Sequence, residues 1–493
     1  MVYNASSING SINLETGRHL IASKWRQDGK SQRDIISPVS GLRIGTIPLG
    51  EISHVNEAVS SARVASNRFK QSSRQDRARY LRRVADRIEA RRQSLVHLLT
   101  LEQGKPITQA NAELDISLSA LNLSAEYAST VTPNGVTLTN PLKRAFVELR
   151  PRGVYGVITP WNAPAAVPVC YYLGPGFAAG NAIIWVPAPS TSLISTQLAE
   201  CFLEADPPVE GILNLVIGEG SEVGDALVAH EGVDALAFTG STKTGNAIAS
   251  RAGAKPLALE LGGNGPTIIF NDADIERAAQ CSAAAAFANA GQICTATERV
   301  LVHEDVYDEF VVLATGQAKA TRLGDPFDVN TTLGPLHNED TAKKVDSHIA
   351  DAVQKGGRIV HGGQRAVGYP TDLYYQPTVV VDVAPYSLLN CEETFGPVIP
   401  ILPFKDDSML RTLVGKSRYG LFGSVFTKSI SQAMRCAADL RVGVVNINEM
   451  SAYWEPGMPG AGASGSLSGT GRFGVEQSIL GMSDHVTITM DLN

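Results

Sequence analysis

The sequence predicts an α/β protein with a doubly wound parallel sheet, a second α/β unit and a small β extension. Three observations predict it. At 493 residues the chain is too long for one ordinary core, so two or three domains are expected. Between 153 and 270, short apolar runs of strand type alternate with helix-compatible stretches, as a parallel sheet requires. From 266 onward a second alternating region begins, long enough for a core of its own.

The elements follow in order. Residues 54–130 read as helices: "RQDRARYLRRVADRIEARRQSLVHLLTLEQG" repeats apolar residues at helical spacing, and Gly104, Lys105 and Pro106 stop it. Its charges read as a solvated outer face. "RAFVELR", 144–150, alternates like a strand. The runs "VYGVITP", "NAIIWVP", "GILNLVIG", "ALAFTG" and "PLALEL" are strands, with helices at 165–179, 190–205, 221–230 and 241–252. Ligands of such sheets bind beyond the carboxyl ends of the strands, which singles out "TPWN", "VPAPS", "GEGS" and "TGSTKTG". The second unit contains "TIIF", "RVLVHEDVYDEFVVLATGQAKA", "GRIVHGG", "YYQPTVVVDV" and "GSVFTKS". The tail "HVTITMDL" alternates like a lone strand, which would need a partner strand elsewhere, in this chain or in another subunit.

With 44% hydrophobic and 18% charged residues, the composition is that of a soluble globular protein. A formal charge of −7 argues against nucleic acid or an anionic membrane as the main partner. No apolar run reaches the roughly 18 residues of a membrane helix, and the polar N-terminus lacks a signal-like apolar region. Six cysteines (170, 201, 281, 294, 391 and 436) lie far apart without a CxxC pair, which fits neither a disulfide framework nor a zinc site. A cytoplasmic protein without a metal is expected, and the sequons at Asn4, Asn122 and Asn330 read as chance matches.

Four motifs bear on chemistry. "GAGASG", 460–465, is a literal GxGxxG, but it follows "EPGMP" and no helix opens after it, so it reads as a glycine-rich loop. "FTGSTKTG", 238–245, leaves a strand and enters a helix, where free N–H groups suit a pyrophosphate, though an ordinary N-cap would look the same. Glu260 closes the strand "LALELGG", a poor place for packing and a good one for a site. Asn162 in "TPWNAP" is either a turn residue or a hydrogen-bond donor. Cys294 in "AGQICTATER" is either a buried thiol or a nucleophile.

Together "ITPWNAP", "FTGSTKTG", "LELGGNGP", "FANAGQICTATER" and "EETFGPV" resemble the NAD(P)-dependent aldehyde dehydrogenases, in order and spacing, over about residues 15 to 485. The resemblance implies a cofactor domain at 1–130 and 150–262, a catalytic domain at 263–440, and oligomerisation segments at 131–149 and 475–493. It makes Cys294 the nucleophile, Glu260 the general base and Asn162 the oxyanion donor. Ile158, Trp161, Val186, Ser190, Gly220, Phe238, Gly240, Ser241 and Leu261 match cofactor-lining positions, and Glu393 and Phe395 those that hold the nicotinamide ribose and ring. The aldehyde pocket should draw on Ala163, Val167, Cys170, Tyr171, Ile293 and Thr295, with Tyr453 and Trp454 from a late loop where they could also merely pack.

Two departures matter. Where the family carries Lys and Glu on the adenosine ribose, this chain has Val186 and Pro189, and its "PFGG" is Pro459-Gly460-Ala461-Gly462. The expected reaction is oxidation of an aldehyde to the acid. A coenzyme A-acylating enzyme is the alternative, against which Glu260 argues; a silent binding protein on the same fold is another. No Arg or Lys lies in the pocket segments while Glu449 and Glu455 do, favouring apolar, aromatic or amino aldehydes over dicarboxylic semialdehydes. Without a cation near Val186, use of both NAD and NADP is expected with a slight lean to NAD; Ser190, Thr191 and Ser192 could still hold an anion. A homodimer or tetramer is expected.

Overall fold

The computed structural model describes residues 15–130 and 134–492. The N-terminal reading with its Asn4 sequon, and 131–133 and 493 of the oligomerisation segments, lie outside the described residues.

The first sheet orders Gly469–Thr470, Leu257–Glu260, Ala235–Thr239, Val154–Thr159, Ala182–Pro187, Leu213–Leu215, His19–Ile21 and Lys24–Arg26. Its five central strands are parallel. These strands are nearly continuous apolar runs because helices cover both faces. Alternate residues separate cleanly. Tyr155, Val157, Ile183, Trp185 and Ala237 join one core with the helices of 74–130 and 192–204. Val154, Ile184, Val186, Leu236 and Phe238 join another with Ile52–Phe69 and Thr242–Arg251. Strand order reverses at Val154–Thr159, between Ala235–Thr239 and Ala182–Pro187. A ligand crevice belongs at that reversal. Gly104 ends the helix Arg92–Gln103 with φ of 100°, a conformation glycine adopts without strain.

The second sheet orders Arg358–His361, Thr378–Val381, Val398–Phe404, Arg299–His303, Pro266–Ile269, Phe422–Phe426 and Val444–Ile447, parallel except at the first strand. It runs past residue 440 to take in Val444–Ile447. The chain then crosses back, and Gly469–Thr470 pairs with Leu257–Glu260 of the first sheet. The glycine-rich stretch 460–465 is irregular, as its neighbours imply.

The tail has the partner strand that its alternation calls for, and within the same chain. Ser483–Asp491 pairs antiparallel along its whole length with Lys143–Pro151 of the same chain, and Asn134–Val136 flanks the other side. More than three hundred residues separate the partners, so sequence alternation alone could not join them.

Candidate active site

The carboxyl ends of the first sheet face the amino end of the strand Arg299–His303 in the second. Glu260 comes from the first side and Cys294 from the second. Two glycines let the backbones meet. A Cβ on Gly263 would sit 1.8 Å from the Cys294 carbonyl oxygen, and one on Gly262 would sit 2.8 Å from a Glu393 carboxylate oxygen. The Glu260 carboxyl is buried beside the Cys294 thiol and the Thr239 hydroxyl. Its Oε2 has no hydrogen-bond partner. Burial, with the charge of Glu393, pushes this carboxyl up to about 7. Desolvation and the facing Glu260 hold the Cys294 thiol well above its ordinary value. A base poised near neutrality beside a thiol that must lose its proton is a chemically useful pair.

Three consecutive residues shortly before Cys294 are left-handed: Asn289, Ala290 and Gly291, with φ of 49°, 56° and 74°. For the two that carry a Cβ this is strained backbone. Side-chain bonds hold it. Asn289 N–H donates to Gln109 Oε1 at 2.8 Å, and Gln292 Nε2 donates to Asn289 O at 2.8 Å. Cys294 then sits in a turn closed by Ala296 N–H on Ile293 O at 2.9 Å.

Asn162 follows the strand Val154–Thr159, and its Nδ2 donates to Gln292 O at 2.9 Å, two residues before the nucleophile. That bond orients the amide and leaves a second N–H. The Asn162 carbonyl accepts from Lys105 Nζ at 3.0 Å and from Asn289 Nδ2 at 2.9 Å. Lys105 forms a buried ion pair with Glu113. Glu113 in turn accepts the N–H groups of Ala165 and Ala166 at 2.8 and 3.0 Å. The sequence reading took Lys105 only as part of a helix stop and passed over Glu113, Asn289 and Gln292. No periodicity or spacing in the sequence marks these supporting residues.

On the nicotinamide side, Glu393 Oε1 accepts the Gly263 N–H at 2.7 Å, and Lys344 Nζ lies 3.9 Å from its Oε2. Phe395 has φ of 61°. Glu298, also unremarked in the sequence, imposes that turn by accepting the Thr394 and Phe395 N–H groups at 2.8 and 2.9 Å. The Phe395 ring meets Trp161 edge-on at 5.7 Å.

Along the strand tips, Ser241 caps the helix Thr242–Arg251 by accepting the Thr244 N–H at 3.2 Å. A Cβ on Gly240 would crowd Phe238, and one on Gly245 would crowd Leu261, so this turn is built close to its sheet. Gly220 is exposed, and Ile158 lines the same side near Gly224. This open backbone, the helix start and the Glu393–Phe395–Trp161 group fit a dinucleotide. The adenosine end is different. The Val186 side chain is turned into the apolar core, and the Ser190 hydroxyl is bonded to His337 Nε2 at 2.8 Å.

Toward the aldehyde side, Tyr171 stands near Glu260 and Cys294. Its ring meets Trp454 at 5.3 Å and Phe473 at 5.1 Å. Phe473 was absent from the sequence expectation because "GTGRFG" reads only as loop. Ala163, Val167, Ile293 and Thr295 are not on the exposed surface; Ala163 and Val167 sit on the Asn162 loop, Ile293 and Thr295 beside the thiol. Cys170 points away, its thiol toward Ile116 O within the core. Tyr453 is turned outward onto Glu455 at 2.7 Å. Glu449 pairs with Arg277 at 3.1 Å, which removes it as a free anion.

Among the described residues no group of three or more His, Cys, Asp or Glu could hold a metal, and no helix is long and apolar enough to cross a membrane.

Relatives carry the same organisation. The mitochondrial succinate-semialdehyde dehydrogenase of Arabidopsis thaliana is 35% identical over 474 residues, 95% of this chain and 88% of that protein. The NADP(+) succinate-semialdehyde dehydrogenase GabD of Escherichia coli is 32% identical over 94% of this chain and 96% of its own. The crystal structure of betaine aldehyde dehydrogenase from Staphylococcus aureus in complex with NAD+ superposes with a TM-score of 0.93 at 31% identity, covering 100% of this chain and 98% of that one. The model of the aldehyde dehydrogenase family matches residues 25–488. The chain belongs to the aldehyde dehydrogenase family.

Proposed function

We propose that this enzyme oxidises an aldehyde to its carboxylic acid with NAD(P)+ and water, through a covalent bond to Cys294. The observation that carries it is the buried Glu260 carboxyl facing the Cys294 thiol, with the Asn162 amide anchored two residues before that thiol. Glu260 takes the thiol proton. The thiolate attacks the carbonyl carbon, and the resulting oxyanion is held by the second Asn162 N–H and by the Cys294 N–H. Glu393, Phe395 and Trp161 would hold a nicotinamide ring, which would supply the hydride acceptor. Loss of hydride from the tetrahedral carbon leaves a thioester, and Glu260 returns the thiol proton to solvent. The ionised carboxylate then takes a proton from the attacking water and passes it to the departing sulfur, which leaves the acid and the free thiol. Because Glu260 lies beside the sulfur, water is the acyl acceptor favoured over coenzyme A. Reduced nicotinamide absorbance should rise with aldehyde and NAD+ alone; a strict requirement for coenzyme A would overturn this reading.

The substrate is an apolar, aromatic or amino aldehyde. Tyr171, Trp454 and Phe473 form an aromatic wall. No Lys or Arg lies in the expected pocket segments 162–171, 293–295 and 449–455 to pair a second carboxylate, and Arg472 beside Phe473 reaches to the Gly443 carbonyl at 3.5 Å. Several relatives act on succinate semialdehyde by name, so a panel of aldehydes ranked by kcat/KM decides: succinic semialdehyde as best substrate would contradict it. The lean to NAD rests on the missing cation beside Val186. Self-association rests on the three-stranded sheet of 134–136, 143–151 and 483–491, whose alternating outer strand is a long open edge. Light scattering at micromolar concentration should give a dimer or tetramer.

A further inference from the structure

We propose that His337 makes the adenosine end of the cofactor site selective for a free ribose hydroxyl over a 2′-phosphate, by fixing which way the Ser190 hydroxyl points. The inference rests on the reading that Ser190 faces the adenosine ribose of a bound dinucleotide.

His337 is buried between the two domains, 7% exposed, with its ring stacked on Trp161 at 4.5 Å and an interplanar angle of 13°. Its Nδ1 lies 3.2 Å from the Gln103 carbonyl oxygen. A carbonyl oxygen only accepts, so Nδ1 carries the proton. Burial lowers the imidazole to about 4, which leaves the ring neutral and its Nε2 a bare acceptor. Ser190 Oγ sits 2.8 Å from that Nε2. The hydroxyl therefore donates to His337 and turns only lone pairs outward.

An acceptor-only Ser190 suits a ribose hydroxyl, which brings its own proton. It opposes a phosphate, whose oxygens at neutral pH are acceptors too. No Lys or Arg lies within residues 181–196: Val186 replaces the usual lysine, and the Lys105 ammonium is committed to Glu113 and to the Asn162 carbonyl. Gln103 is locked in turn, its side-chain oxygen accepting the Lys105 N–H at 3.0 Å. Ser190 was expected from the sequence to help hold an anion. Its hydrogen bond assigns it the opposite preference.

The test is equilibrium binding of NADH and NADPH, read by nicotinamide fluorescence, with no aldehyde present. The wild-type protein should bind NADH more tightly. His337→Phe keeps the ring on Trp161 but frees the Ser190 proton, and should cut the NADPH-to-NADH ratio of dissociation constants about fivefold or more. Ser190→Ala should weaken NADH severalfold and leave NADPH nearly unchanged; this variant serves if the buried substitution prevents folding. A ratio unmoved in a folded His337→Phe, or in Ser190→Ala where His337→Phe does not fold, with both nucleotides still bound, overturns the His337 inference alone. Failure of the wild-type protein to bind either nucleotide would overturn the cofactor reading beneath it as well.

Discussion

The two ends of the cofactor crevice are built to different standards. Around Cys294 and Glu393 the supporting groups are fixed from more than one side: the Asn162 carbonyl has two donors, Glu298 has two N–H groups, and Glu113 has an ammonium and two N–H groups. At the adenosine end Val186 is core, Pro189 has no donor, and Ser190 is tied to a neutral imidazole. The contrast follows from what each end must do. A reacting carbon has to be placed within a few tenths of an ångström, and misplacement costs rate directly. The remote end only supplies binding energy, which other contacts can replace.

Removing the chemistry at the tightly built end gives the largest effect. Cys294→Ala should lower kcat by at least about a thousandfold, ~4 kcal/mol, while NADH binding survives. Asn162→Ala should cost roughly 10²–10³ in kcat, the range for one lost oxyanion donor. The scaffold behind it is also testable. Lys105→Met leaves the Glu113 carboxylate buried and unpaired, a loss of about 3–5 kcal/mol in stability, read by chemical denaturation, and it should lower kcat by loosening Asn162. An unchanged melt and unchanged kcat would show that the ion pair holds nothing.

The pH profile separates the same two ends. Glu260 acts as a base only when ionised, and burial places it at about 7. Turnover limited by thioester hydrolysis should thus rise with pH through about 7 and fall about tenfold per unit well below it. Glu260→Gln should lower kcat and flatten this limb, without moving the ratio of NADH to NADPH affinity. The smallest effect belongs to the adenosine end. Pro189→Glu adds a carboxylate for the ribose hydroxyls and should raise the NAD+ over NADP+ preference in kcat/KM by about tenfold at most.

How much of this the sequence discloses follows the same divide between chemistry and support. The strands at 154–159, 182–187, 235–239 and 257–260 are legible because burial on both faces demands unbroken apolar runs. Cys294, Glu260 and Asn162 sit in motifs dense enough to be recognised. The groups that position them are not. Lys105 and Glu113 meet across a helix start, His337 reaches Ser190 from another domain, and Phe473 reaches Tyr171 from a glycine-rich loop. Each pairing depends on tertiary proximity, which neither periodicity nor spacing reports. The left-handed run at 289–291 had a partial signal in Asn289 and Gly291, residue types that tolerate that region, but Ala290 between them gave none.

The account's central claim is a covalent acyl intermediate on Cys294 that Glu260 clears with water. The direct measurement is intact-protein and peptide mass spectrometry of the wild-type enzyme, mixed with NAD+ and benzaldehyde and quenched in acid at successive times within the first turnover. The account predicts one benzoyl group per chain on the Cys294 peptide, short-lived and absent when NAD+ is omitted. No adduct, or an adduct on another of the six cysteines, would contradict it.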